Sequence, residues 1–374
     1  MRVDKSKWQK IFLGEVCNLY QPKTIATSCL DSNGKYLVYG ANGVIGKYNE
    51  YNHKFPEVLI TCRGATCGTI NISKPFSWIN GNAMVVHPKE ENLLDFAFLG
   101  KAVSAIDYSK VITGAAQPQI TRANLQKVQI VIPTLVEQQT IASELDAVQE
   151  MIDGYKAQIA DLDALAQSIF LDMFGNVSMN DKSWNIIPMG KLGDFKNGLN
   201  YNKGEQGKSI KIIGVGDFQN IKSLSSFNDI SSIEVEHISE EYLLHNEDIV
   251  FVRSNGNKNL VGRCLEVYLN DAEVTFSGFC IRFRKSVEIS NKYLIALLTD
   301  SGFKKTHLLK SNGIGIQNIN QKLLSSLPIP VPSADLQQLF ALKVETIEQQ
   351  KEQLRLQLQD AETLMAERMQ YYFS

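Results

Sequence analysis

GAAQPQITRANLQKVQIVIP, Gly114 to Pro133, returns 199 residues later as GIGIQNINQKLLSSLPIPVP, Gly313 to Pro332. The register then holds without a gap: Gln138-Gln139 falls on Gln337-Gln338 and Phe174 on Phe373. Upstream, WQKIFLGEV (Trp8 to Val16) matches WNIIPMGKL (Trp184 to Leu192) at an offset of 176. The chain is therefore one unit used twice, and the growth in offset places extra loop residues inside the second copy. The repeat divides it into globular segments 1–133 and 181–332 and helical segments 134–180 and 333–374.

Each copy ends in a long helix. Thr134 and Glu137 form an S/T-x-x-E capping box. Apolar residues then recur at spacings of four and three: Ile141, Leu145, Val148, Ile152, Tyr155, Ile159, Leu162, Leu165, Ile169 and Met173. That is a coiled-coil period. Gly175 suits the left-handed residue after the helix, whereas Gly154 sits inside it. Ser333 is the expected N-cap of the second helix, whose seam reads Phe340, Val344, Ile347, Lys351, Leu354, Leu358, Ala361, Met365, Arg368 and Tyr372. Lys351 and Arg368 interrupt it and are expected to reach an interface edge or an opposite charge. At 1.5 Å per residue each helix is roughly 55 to 60 Å long, too long for one small domain to bury. The fold class expected is α+β: two tandem mixed α/β domains separated by two helices paired as an antiparallel coiled coil, with a pseudo-twofold repeat.

Within the units, strands are expected at Lys35–Tyr39, Glu57–Thr61, Met84–His87, Val128–Ile132, Ser209–Val215, Asp248–Arg253, Arg263–Tyr268 and Phe279–Arg284. Helices are expected at Asn92–Ile106 and Asn291–Leu298. Turns are marked by Asn-Gly pairs that favour positive φ.

The chain has 374 residues, 44% hydrophobic and 21% charged, an ordinary globular composition. No apolar run reaches the roughly 18 residues that span a bilayer, and the charged start lacks a signal-peptide pattern. Six scattered cysteines suit reduced thiols, so a cytoplasmic location is expected. The net charge of −2 argues against a uniformly basic nucleic-acid binder, but it is an average. Residues 1–132 carry 15 basic and 9 acidic side chains and residues 181–332 carry 18 and 16, net +6 and +2. The helical segments carry 1 and 8, then 4 and 7, net −7 and −3. Positive units suit a polyanion and acidic helices suit protein contact.

Reaction chemistry is hard to find. Cys62-x4-Cys67 lacks zinc-knuckle spacing and a second ligand pair. ANGVIGKY (Ala41 to Tyr48) and NKGEQGKS (from Asn202) are imperfect phosphate loops without the strand-loop-helix setting. Gly214-Val215-Gly216 is too short a signal for a dinucleotide site, and no metal or catalytic set is expected. The loops instead hold side chains that pair with bases: Arg with guanine, Asn and Gln with adenine, with Lys and glycine-rich backbone for phosphates. Asn42, Lys47, Arg63, Thr66, Gln117 and Gln119 form the expected set in the first unit. Arg253, Asn255, Lys258, Gln317 and Asn318 form it in the second. Two other classes remain to be weighed: a self-sufficient DNA nuclease or NTPase, and a coiled-coil scaffold for proteins.

The unit starts at Ile11–Val16 and Ile187–Leu192, GAAQPQI, IVIPTLVEQQTIASELD and LAQSIFLDMFG together resemble the specificity (S) subunits of type I restriction-modification systems, the HsdS family. IPVPSADLQQLF repeats the pattern with Leu336 where the first copy has Glu137. The resemblance covers the whole chain. It implies two target recognition domains, each reading half of a bipartite double-stranded DNA site, with the helices setting the spacing. It also implies a non-catalytic chain without cofactors of its own. Its partners would be two modification (M) subunits that methylate adenine with S-adenosylmethionine and restriction (R) subunits that use ATP and Mg²⁺.

Overall fold

The computed structural model describes residues 4–114, 117–201, 206–218, 221–257, 260–308 and 318–374. Of the expected site residues, Lys258 and Gln317 lie outside the described residues. The chain forms two compact units, Met1–Ala157 with Arg355–Ser374, and Gln158–Leu354. Each unit thus takes a globular segment together with half of both long helices.

In the first unit, strands Cys17–Tyr20, Ala83–Pro88, Val58–Thr61 and Ile70–Ile72 form an antiparallel four-stranded sheet in that order. Tyr36–Gly40 lies between Gly43–Tyr48, antiparallel, and Trp78–Ile79, parallel. In the second unit a five-stranded sheet runs Gly193–Asn197, Cys280–Lys285, Ile249–Val252, Cys264–Val267 and Ser223–Leu224. A three-stranded sheet runs Ser232–Val235, Lys208–Ile213 and Val274–Phe276. The expected strands appear within one residue of their sequence bounds, except that Ser209–Val215 stops two residues early, at Ile213. The expected helix Asn92–Ile106 is shorter, Phe96–Ser104, because Asp95 caps it by accepting the Phe98 N–H at 2.9 Å.

The duplication is visible as hydrogen-bond register. Gln9–Phe12 pairs antiparallel with Gln129–Ile132, Gln9 opposite Ile132. Asn185–Pro188 pairs with Pro328–Val331, Asn185 opposite Val331. The offsets of 176 and 199 meet in one strand pair with every partner preserved. Each unit is therefore closed by a clasp between its first and last strands, and the length difference lies between them.

Both long helices have 40 residues, Leu135–Phe174 and Ala334–Phe373. The capping box forms, with the Glu137 carboxylate accepting the Thr134 N–H at 3.0 Å and its hydroxyl at 2.8 Å. Gly175 ends the first helix at φ +74°. Behind each cap a glutamine ties the helix to the short helix beside it. Gln138, fully buried, donates to the Leu93 and Pro133 carbonyls and accepts the Asp95 N–H at 2.8 Å. Gln337 repeats this with the Pro332 carbonyl and the Ser290 N–H at 2.9 Å.

The helices run antiparallel in each unit. In the first, Ile141 and Leu145 enter the core with Tyr372, and Val148 and Ile152 pack with Ala361, Leu358 and Met365. Arg368 and Tyr372 both reach Glu144, at 3.0 and 2.7 Å. In the second unit Phe340 and Ile347 are buried, Ile159, Leu162, Val344 and Leu354 half-buried. Phe170 stacks on Tyr293 and meets Phe340 edge to face, and Phe174 meets both Phe340 and Tyr293 edge to face. Lys351 is buried on the seam, its ammonium 2.7 Å from Asp163 and 3.0 Å from Glu348. One seam residue is corrected: Leu165 is 47% exposed and Ala166 is buried instead. A straight helix drifts against a 3.5-residue repeat, and Phe170 and Phe174 fix the later phase by entering the unit's core.

Candidate nucleic-acid interface

In the first unit the central strand Val58–Thr61 runs into a tight loop. Gly68, at φ +93°, turns the chain back, its N–H donating to Thr61 at 2.9 Å. The segment after Gly114 docks beside this loop: Ile120 N–H donates to the Cys62 carbonyl at 2.9 Å and Gly64 N–H to Pro118 at 3.1 Å. Arg63 and Gln119 become direct cross-strand partners. Gly114 permits this hairpin, since at φ +90° a Cβ would lie 2.5 Å from the Gln117 carbonyl oxygen. Arg63, Thr66, Gln117 and Gln119 are all exposed.

Asn42 joins the cluster. Its turn lies against the end of the central strand, where the Thr61 hydroxyl donates to the Ala41 carbonyl. Asn71, missed in the sequence, donates from its side-chain amide to the side-chain Oδ1 of Asn42 at 3.3 Å. Lys47 does not join it: it pairs with Leu37 at the other end of the hairpin, roughly 15 Å from the turn at the rise of a strand. The same hairpin disposes of the phosphate-loop pattern, because Gly43–Tyr48 is a strand with no helix after it.

The second unit repeats the frame. Gly262, at φ +77°, donates to Val252 at 2.9 Å as Gly68 does to Thr61, and Ile319 donates to Arg253 at 2.8 Å as Ile120 does to Cys62. Ser254 and Asn318 are the bridged pair equivalent to Arg63 and Gln119. Arg253 therefore occupies the place of Cys62, one residue from that of Arg63, and its guanidinium turns inward to the Gly278 carbonyl at 3.4 Å. Side chains alternate faces along a strand, so a one-residue shift decides which residue is presented. Asn255 folds onto its own loop, accepting the Asn257 N–H at 2.6 Å. The two loops differ in length, six residues from Cys62 to Cys67 against nine from Arg253 to Val261. Gly214-Val215-Gly216 takes the place of the Ala41–Asn42 turn, because Ile213 pairs with Phe276 as Tyr39 does with Ile79. A cleft of about 720 Å³ opens here, lined among others by Tyr201, Ile212, Val215, Asp217, Ser254, Asn255 and Phe279.

Four of the six cysteines, Cys17, Cys62, Cys264 and Cys280, belong to the core, while Cys67 is half-buried and Cys29 exposed. Cys17, Cys264 and Cys280 are buried, and burial pushes each thiol up to about 12. Among the described residues no group of three or more His, Cys, Asp or Glu is placed to hold a metal ion, and no helix is long and apolar enough to cross a membrane.

The class defined by this geometry is a duplicated α/β protein that carries hydrogen-bonding side chains on one repeated framework, exposed in the first unit and, apart from exposed Asn318, half-buried in the second. Residues 5–163 and 181–360 match the model of the type I restriction modification DNA specificity domain, and the chain belongs to that family. It is 26% identical over 337 residues to the type I restriction enzyme StySPI specificity subunit of Salmonella potsdam, covering 83% of this chain and 68% of that protein. It is 21% identical over 379 residues to the MjaVIII specificity subunit of Methanocaldococcus jannaschii, covering 91% and 86%. Among solved structures it shares its fold with the S subunit of a type I restriction-modification system from M. genitalium. There the TM-score is 0.62 at 16% identity, over 100% of this chain and 98% of that one.

Proposed function

We propose that this chain is the non-catalytic subunit that gives a type I restriction-modification complex its DNA sequence specificity, each unit reading one half of a bipartite site. The observation that carries this reading is the substitution pattern on the common frame: Arg63 and Gln119 in one unit, Ser254 and Asn318 in the other, bridged in the same way. Equal backbones with different hydrogen-bonding side chains suit two readers of different sequences. The long helices, acidic in composition, set half-site spacing and dock two modification subunits. Methyl transfer from S-adenosylmethionine, and cleavage driven by ATP with Mg²⁺, belong to the modification and restriction partners. The modest charge of the units implies weak binding by the isolated chain and tight binding in the complex.

The test is a methylation map of cells expressing the chain with its modification partner, followed by the double variant Gln117→Ala, Gln119→Ala. Recognition is expected to relax at one half-site only. Equal loss at both halves would rule out independent readers.

A further inference from the structure

Three segments lie abreast at the end of each central strand. Cys62, the first residue beyond the strand, has its carbonyl taken by Ile120 and its N–H taken, at 3.1 Å, by the carbonyl of Asn82. Arg253 is held in the same way between Ile319 and the carbonyl of Phe279, at 2.8 Å. Asn82 and Phe279 are therefore equivalent positions, each flanking the loop on the side opposite Gln119 or Asn318. The side chain of Asn82 is exposed. Phe279 is 62% exposed, although its backbone is fixed at both ends: its N–H donates to the Ser277 hydroxyl at 3.2 Å and its carbonyl accepts from Arg253.

A lone exposed apolar side chain needs no explanation by itself. Phe279 differs because it lines the cleft together with Tyr201 and Val215, and with the polar side chains of Asp217, Ser254 and Asn255. On the major-groove edge of DNA the apolar group is the 5-methyl of thymine; the other features are hydrogen-bond donors and acceptors. Resting on the proposed reading of half-sites, we infer that Asn82 and Phe279 are further base-contacting residues, and that Phe279 takes a thymine 5-methyl within the half-site read by the second unit. Asn82 presents an amide suited to adenine at the corresponding place in the first.

The test uses the chain assembled with its modification subunits and duplexes carrying the mapped site. Each thymine of the second unit's half-site is replaced in turn by uracil, which removes the methyl and leaves base pairing intact. At one position binding is expected to weaken about fourfold, the weight of one buried methyl group. Phe279→Ala should weaken binding to the thymine duplex by a similar factor and abolish the distinction between thymine and uracil there. Phe279→Leu should retain it. Asn82→Ala should relax one A·T position in the other half-site by about fivefold or more. Indifference of the unaltered complex to uracil at every position, while base-pair exchanges in that half-site still abolish binding, overturns the inference and leaves half-site reading intact. Indifference to the exchanges as well overturns the reading itself. A Phe279→Ala complex weakened on unrelated DNA as much as on its site assigns the ring to a protein contact and overturns the inference.

Discussion

Gln138 shows how much one buried amide holds. All its capacity goes to the short helix and the chain entering the long one, so Gln138→Ala leaves the buried Asp95 N–H and two carbonyls without their partner. A loss of about 1–3 kcal/mol per unsatisfied group is expected, read as a lower denaturant midpoint, and Gln337→Ala should do the same in the other unit. The sequence made these residues repeat markers without revealing that they are clasps, because a conserved offset carries no information on burial. His53 offers a pH test. Its ring bonds the Tyr20 hydroxyl at 2.9 Å and the Asn52 side chain at 2.7 Å. Burial, and then the charge of His87, hold it below the ordinary value of 6.5. The unfolded chain then binds a proton near pH 6.5 that the folded one refuses, so this stability is present above 6.5 and is lost as pH falls toward the folded value. Glu57, raised by burial, acts in the opposite sense at lower pH. Comparing unfolding midpoints at pH 7.5 and 5.5, the unaltered protein should lose more than His53→Gln.

Among the elements, the long helices were the most legible. Forty residues of heptad spacing, a capping box and a terminal glycine all agree locally, and each forms as read. What the heptads missed was the slip at Leu165, because tertiary packing of Phe170 and Phe174 set the phase there. Lys351 and Arg368 break the apolar seam and are answered by Asp163, Glu348 and Glu144, a device that can disfavour other registers. Gly154 has no such role: a Cβ there meets nothing within 4 Å. Gly154→Ala should raise the melting temperature, with up to about 1 kcal/mol gained. The strands were legible where they are buried runs, such as Val58–Thr61 and Ile249–Val252. Four-residue pieces such as Cys17–Tyr20 and Ser232–Val235 are too short for alternation to announce them. The candidate site was legible as composition and not as register. Arg63 and Gln119 were both singled out, but the equivalence of Arg253 to Cys62, and of Val215–Gly216 to Ala41–Asn42, is visible only in the hydrogen bonds that join segments within each unit.

At the scale of the molecule, the two helices run through both units, so their length should govern the spacing a complex accepts. Deleting one heptad from each removes about 10 Å of helix, equivalent to about three base pairs of B-DNA. Methylation of sites with graded spacers should shift to shorter spacers by that amount, and an unchanged optimum would dismiss the ruler. One further property follows from the helix ends. In the second unit Lys182 donates to the carbonyls of Asp172 and Met173, and Trp184 to that of Phe174, while residues 175–181 link the two sides. In the first unit Lys5 meets the Tyr371 carbonyl and sits over its ring. Tyr371 lies 199 residues after Asp172, so each long helix ends with an ammonium on the same carbonyl, at the negative pole of its dipole. The last turn of each helix is thereby tied to the segment that leads into Gln9–Phe12 or Asn185–Pro188: Lys5→Ala and Lys182→Ala should each speed amide exchange in one last turn and in the strand that follows its lysine.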